Sequence, residues 1–249
     1  MSGHSKWATI KHKKGALDAK RGKLFAKLAR QLEVAARGGG GDINSNATLR
    51  TIVLKAKAGQ MTNDAIERAI KRGTGEDDGG TYEAIMYEGY APGGVGILID
   101  VLTDNRNRTG SEVRAIFSKL GGAMAEPGAV GWQFGRKGVL EVSRVVSEDD
   151  VMLVALDAGA EDISDQGDSW QVVCDPSTLW DVKAAIEAGG IEVLSAESTM
   201  LAANHIPVTD LDDARKILRI IDALEDNDDV QDVYSNVDIS DDLMQAVEA

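Results

Sequence analysis

The feature that most constrains this chain is the separation of its charge. The first forty residues, MSGHSKWATIKHKKGALDAKRGKLFAKLARQLEVAARGGG, carry ten Lys or Arg (Lys6, Lys11, Lys13, Lys14, Lys20, Arg21, Lys23, Lys27, Arg30, Arg37) against only Asp18 and Glu33, a formal +8, in a protein whose net charge is −14. Extended to residue 73, sixteen cations face five acids, net +11; the rest of the 249 residues holds eleven against thirty-six, net −25. A chain so divided presents two electrostatically different surfaces, and the basic one is the natural seat for a polyanion.

Apolar periodicity supplies the architecture. Residues 4–14 lack a sustained apolar repeat and read as an extended basic arm. From Ala16 to Arg37 the pattern is helical: Leu17, Leu24, Leu28, Leu32 and Ala35 share one side, and Lys20, Lys23, Lys27, Arg30 and Arg37 share another. The glycines 38–41 end that helix, because four of them cost too much backbone entropy to stay helical. A second helix is expected over Asn46–Ala58, with Gly59 as its stop. A third follows from a Thr62 or Asn63 cap through Arg72, closed by Gly73. The Gly- and acid-rich run GTGEDDGG, 73–80, reads as a linker.

Beyond it the period becomes that of strands. Residues 82–92 and 95–104 form two strands about the Pro92-Gly93-Gly94 turn, a helix is expected over Ser111–Leu120, and a short strand near 129–135. Strand 138–143, helix 148–158, strands 161–164 and 169–174, helix 177–188 and strand 191–199 spell βαββαβ, the ferredoxin-like order. A last helix (210–226) and strand (230–237) lack a unit of their own and complete the earlier sheet. The fold class is therefore α+β in three domains. An N-terminal three-helix bundle (1–73) precedes two α+β domains, one formed by 81–135 plus 207–240 and the other, 136–206, ferredoxin-like and inserted in it.

Three motifs carry a family resemblance: the opening GHSKWATIKHKK with KRGKLFAKLAR, the phrase YEGYAPGGVGILIDVLTDNRNRT, and the ending EDNDDVQDVYSNV. Across essentially its whole length the chain resembles the YebC/PmpR family, which includes the mitochondrial translational activator of cytochrome oxidase subunit one. The resemblance implies the same three-domain layout and a regulator of gene expression. It leaves open a transcriptional regulator on promoter DNA or a translation factor on the ribosome, rRNA or tRNA. The segment MAEPGAVGWQF departs from the LGxxGSV-type wording of the family.

The expected partner is nucleic acid, DNA or rRNA/tRNA, with the ribosome a further candidate. The contacts expected are Lys6, Lys11, Lys13, Lys14, Lys20, Arg21, Lys23, Lys27 and Arg30 on phosphates, and Trp7 or His12 stacked on a base or sugar. The competing reading is a solvated basic face, or one docked on the protein's own acidic domains. A protein-interaction adaptor, with the basic bundle as an internal clamp, is the corresponding alternative function. Arg106 and Arg108, rare cations in an acidic region, form a second candidate contact. Against that stands a plain strand-to-helix connection in which Asp104, Asn105 and Thr109 supply turns and a cap.

No catalytic set is visible. GGVGIL lacks the G-x-G-x-x-G pattern, no G-x-x-x-x-G-K-[ST] occurs, and His4 and His12 have no Cys or carboxylate cluster beside them. No cofactor, metal or enzymatic activity is expected. The single Cys174 in an apolar run suits a reducing compartment, and no run approaches 18 apolar residues. A cytoplasmic protein without membrane contact is expected; whether it pairs with itself is left open, a monomer being favoured over self-association.

Overall fold

The computed structural model describes residues 17–75 and 81–248, the side chains of 17–21 and 248 excepted. The arm residues Lys6, Trp7, Lys11, His12, Lys13 and Lys14 lie outside the described residues, as do the side chains of Lys20 and Arg21. The architecture is α+β. Three helices come first, α1 (Leu17–Gly39), α2 (Ala47–Ala58) and α3 (Asn63–Thr74), and pack Leu28, Leu32, Ala36, Leu49, Val53, Met61, Ile66 and Ala69 into one apolar cluster.

Two local devices set the bundle's geometry. Asn46 is buried and caps α2 by accepting from Leu49 N, while its amide donates to Ala35 O and Gly40 O, so one side chain ends α1 and starts α2. Gly73 does not close α3: the helix runs to Thr74 and is ended by Gly75 at φ 84°. Gly73 instead admits the backbone of α1, since a Cβ there would lie 2.3 Å from Glu33 O. Leu24, expected in the core, is 40% exposed; the inward positions are Leu28, Leu32 and Ala36.

A four-stranded antiparallel sheet follows, in the order β3 (Ala123–Ala125), β1 (Glu83–Tyr90), β2 (Gly96–Thr103) and a strand that arrives much later, Val230–Ser235. On one face it packs α4 (Arg106–Leu120) and a later helix, Leu211–Glu225, around Ile97, Ile99, Val101, Phe117, Ile217 and Ile221. Between the two halves stand β4 (Phe134–Ser143), α5 (Glu148–Asp157), β5 (Ala160–Asp165), β6 (Ser169–Cys174), α6 (Leu179–Ala188) and β7 (Val193–Ala202). Their sheet has the order β5-β6-β4-β7, all antiparallel, which is the ferredoxin-like arrangement. The chain then closes with β8 (Ile206–Val208), α7 (Leu211–Glu225), β9 (Val230–Ser235), β10 (Val237–Ile239) and α8 (Asp241–Glu248).

Several elements depart from expectation. The strand anticipated at 129–135 is a 3-10 turn, Gly131–Gln133, followed by β4 from Phe134; the short sheet strand is β3 instead. Glu88 explains the turn. Its buried carboxylate accepts from the backbone N–H groups of Gly128, Val130 and Gly131, which curls that segment away from any strand ladder. The helix expected from Ser111 begins at Arg106. The parallel pair β8–β10 and α8, which packs Leu243, Met244 and Val247 on the main core, are too short to show a period in the sequence.

The seams between the parts differ in kind. The two sheets share apolar contacts, with Leu98, Val130 and Phe134 against Tyr90, Met200, Ala202 and Tyr234. Among the described residues, no apolar cluster joins the bundle to the rest.

Candidate functional site

The bundle meets the α+β body through the basic stripe of α1. Lys23, Lys27 and Arg30, spaced i, i+4 and i+7, fall on one side of the helix. All three reach the turn that links α7 to β9, Glu225–Asp226–Asn227–Asp228–Asp229, which puts four carboxylates in five residues. Lys23 Nζ donates to Asp226 Oδ1 at 3.0 Å and to Asp226 O at 3.2 Å, and Lys27 Nζ donates to Glu225 O at 2.9 Å. Those carbonyls close the C-terminal end of α7, where the helix dipole is negative and a cation is favoured.

Arg30 goes deepest. Its Nη1 donates to Asp229 Oδ1 (2.8 Å), Asp228 O (3.0 Å) and Leu102 O (3.2 Å), with the guanidinium 5.2 Å from the centre of the Tyr82 ring. Gln31 adds a bond to Gln231. The seam is thus made of cations, amides, carboxylates and carbonyls.

Asp229 is the hub beneath it. The carboxylate is buried and accepts from Arg30, from Arg108 Nη2 (2.6 Å), from Thr109 Oγ1 (2.6 Å) and from Thr103 Oγ1 (3.0 Å). Burial alone would raise its pKa; the bonds from Thr109, Arg108 and Thr103 outweigh that and hold it below the ordinary carboxylate value. The backbone carbonyl of Asp229 accepts from Leu102 N, so the same residue also fixes the end of β2.

The second candidate contact lies on this hub. Asn105 caps α4 by accepting from Arg108 N, which makes Arg106 and Arg108 first-turn residues of the helix and not a loop. Cations there oppose the helix dipole, so they need compensation. Arg108 finds it in Asp229 and Asp104 (2.9 Å), and Arg106 in Glu83 (3.1 Å). A shallow depression at the seam is lined by Arg30, Asp104, Arg108, Glu112 and the acidic turn.

The structure therefore brings Lys23, Lys27, Arg30 and Arg108 together around Glu225–Asp229, and leaves Arg106 apart at the start of β1. Sequence reasoning missed the acidic turn as their partner. Its signal was present in EDNDD, but the contact spans 203 residues of chain. Elsewhere, Asp100 is pushed up by burial and by Asp232 facing it across the β2–β9 pair. Among the described residues, no group of three or more His, Cys, Asp or Glu is placed to hold a metal ion, and no helix is long and apolar enough to cross a membrane.

These features define an α+β protein of three parts in which a cationic helical module rides on an acidic body. Residues 5–76 match the model of the TACO1/YebC protein N-terminal domain, and residues 82–237 that of the TACO1/YebC second and third domain. The chain belongs to the TACO1/YebC family. It is 53% identical to a "Probable transcriptional regulatory protein" of Thermobifida fusca over 99% of this chain and 100% of that one. It is 54% identical to a protein of the same name from Mycolicibacterium gilvum over the full length of both. The crystal structure of a conserved hypothetical protein from Aquifex aeolicus superposes with a TM-score of 0.84 at 43% identity, covering 95% of this chain and 98% of that one.

Proposed function

We propose that the chain is a non-enzymatic regulator of gene expression that binds nucleic acid through its N-terminal domain, residues 1–73, in the manner the names of its relatives suggest for transcription. The observation that carries the reading is the charge division, +11 over 1–73 against −25 over the rest. A polyanion has one favourable approach to such a molecule. The leading contacts are the arm residues Lys6, Lys11, Lys13 and Lys14 with Trp7 and His12, joined by Lys20 and Arg21 where α1 begins. Lys23, Lys27 and Arg30 already have partners in the acidic turn, so they enter the contact only when that turn is displaced. Arg108 is engaged by Asp229; Arg106, paired only at the surface, is the more accessible of the second pair.

One feature favours RNA over an extended duplex. The acidic body is docked directly behind the basic module, where it would meet the flanking phosphates of a long straight helix, whereas folded RNA offers irregular surfaces. Binding of duplex DNA, free rRNA and ribosomes is measured across salt for the native chain and for the Lys11→Ala/Lys13→Ala/Lys14→Ala variant. Phosphate contacts impose a log-log salt slope near −0.9 each on duplex and about −0.7 on single strands. The variant should lose affinity and slope on its target with an unchanged melting curve. Salt-independent binding, or none, to all three would remove the proposal in favour of an adaptor that works through protein contacts alone.

A further inference from the structure

We propose that the turn Glu225–Asp229 is an internal surrogate for nucleic acid: it occupies the α1 stripe in the free protein, and a bound polyanion displaces it and frees the bundle from the α+β body. The inference rests on the nucleic-acid reading above and adds a regulation of that same surface.

Three observations carry it. The stripe is presented as a phosphate backbone would need it, with cations at i, i+4 and i+7 on one helix side, and each is met by an anion or by a carbonyl at the negative end of α7. The Lys23–Asp226 pair is exposed, Asp226 itself being 72% exposed, so it is the weak, salt-sensitive kind of ion pair that a denser polyanion outcompetes, and Lys27 beside it donates a part-buried bond to the Glu225 carbonyl. Finally, the described bundle–body seam holds no shared apolar cluster, in contrast to the Leu98–Phe134 seam between the two sheets. Parting it exposes no hydrophobic core, and Leu28, Leu32 and their partners remain packed within the bundle.

Arg30 and Asp229 set the order of events. Arg30 is more deeply held than the two lysines, so displacement begins at Lys23 and Lys27, nearest the arm, and proceeds toward the hub. A nucleic acid captured by the arm is thereby placed beside the contacts it must break first.

The test compares the native chain with Asp226→Asn/Asp228→Asn, which removes two exposed charges of the turn. Glu148→Gln/Asp149→Asn on α5 is a control that removes the same charge elsewhere. A Lys23→Cys/Asp226→Cys chain is compared before and after closure with a short bifunctional maleimide, the native Cys174 being buried. Affinities for a mixed-sequence single-stranded RNA and for a DNA duplex of equal length are read across salt. The turn variant should bind about fivefold tighter than the native chain at low salt, converging with it at high salt, while the control stays near native. The crosslinked chain should bind more weakly, and with a shallower salt slope, than its uncrosslinked form.

Equal tightening in the turn variant and the control would overturn the latch as a mere net-charge effect. So would unchanged affinity in both the turn variant and the crosslinked chain while Lys11→Ala/Lys13→Ala/Lys14→Ala abolishes binding; that outcome leaves the nucleic-acid reading intact. Failure of every form to bind either probe at any salt would overturn both.

Discussion

Arg30 Nη1 and Asp229 Oδ1 lie 2.8 Å apart across a contact that joins residues 199 positions distant, and Asp229 simultaneously holds Arg108, Thr103 and Thr109. The bundle is therefore tied to the same buried carboxylate that organises the end of β2 and the start of α4. Asp229→Asn keeps the shape but removes the carboxylate that pairs Arg30 and leaves Arg108 only the exposed Asp104 and Glu112. The expected loss is about 3 kcal/mol of stability in the α+β body, read from urea unfolding. A double-mutant cycle with Arg30→Ala should show a coupling of about 1–2 kcal/mol between the pair.

Acid should act on the same residue. Asp229 and Glu88 both have pKa values below ordinary, the first through side-chain donors and the second through the backbone N–H groups of Gly128, Val130 and Gly131, in each case against the cost of burial. A carboxylate with a depressed folded pKa contributes stability that is fully present above its unfolded value and is lost as pH falls through the folded one. The urea midpoint of the native chain should hold near neutrality and decline from about pH 4 downward. The gap between the native chain and Asp229→Asn or Glu88→Gln should narrow over that same range. A gap that stayed constant to low pH would remove the assignment.

Gly73 tests close helix packing against helix propensity. Alanine is favoured over glycine within a helix by about 1 kcal/mol. Here its Cβ would lie 2.3 Å from Glu33 O and 2.7 Å from Ala36 Cβ, and the first of these is backbone that a side-chain rotation cannot move. Gly73→Ala should therefore destabilise the bundle by about 2 kcal/mol. A stabilised variant would show that α1 and α3 part freely.

The sequence carried most of the architecture because apolar periodicity reports burial. Leu28 and Leu32 on α1, the near-continuous apolar run of β2 and the βαββαβ order were all legible that way. What it could not carry is polar and distant. Thr109 is fully buried, yet it faces the core through a hydroxyl bonded to Asp229, so the segment 105–110 read as a connection when it is the first turn of α4. Glu88 curls residues 128–131 through backbone bonds that no spacing rule announces. The α1 stripe was visible as charge, but whether it faced solvent, nucleic acid or the body depended on a turn more than 190 residues away. Local composition holds no trace of that.

Leu24 and Leu28 separate periodicity from burial most directly. One turn apart on α1 and chemically identical, they were expected to share the core face, but Leu28 is 1% exposed and Leu24 40%. Truncating Leu28 leaves a cavity among Leu32, Leu49 and Val53, at a cost of about 3 kcal/mol to the bundle. Leu24→Ala removes a side chain that is 40% exposed and lies beside Gly59, and should cost less, about 1 kcal/mol. Thermal unfolding of the two variants gives the comparison. Since Leu24 lies one residue from Lys23, the pair also reports on the seam: if the bundle leaves the body when nucleic acid binds, Leu24→Ala should leave the affinity unchanged, and Leu28→Ala should lower it only as far as it unfolds the bundle. A loss of binding in Leu24→Ala without loss of stability would place Leu24 in the nucleic-acid contact itself.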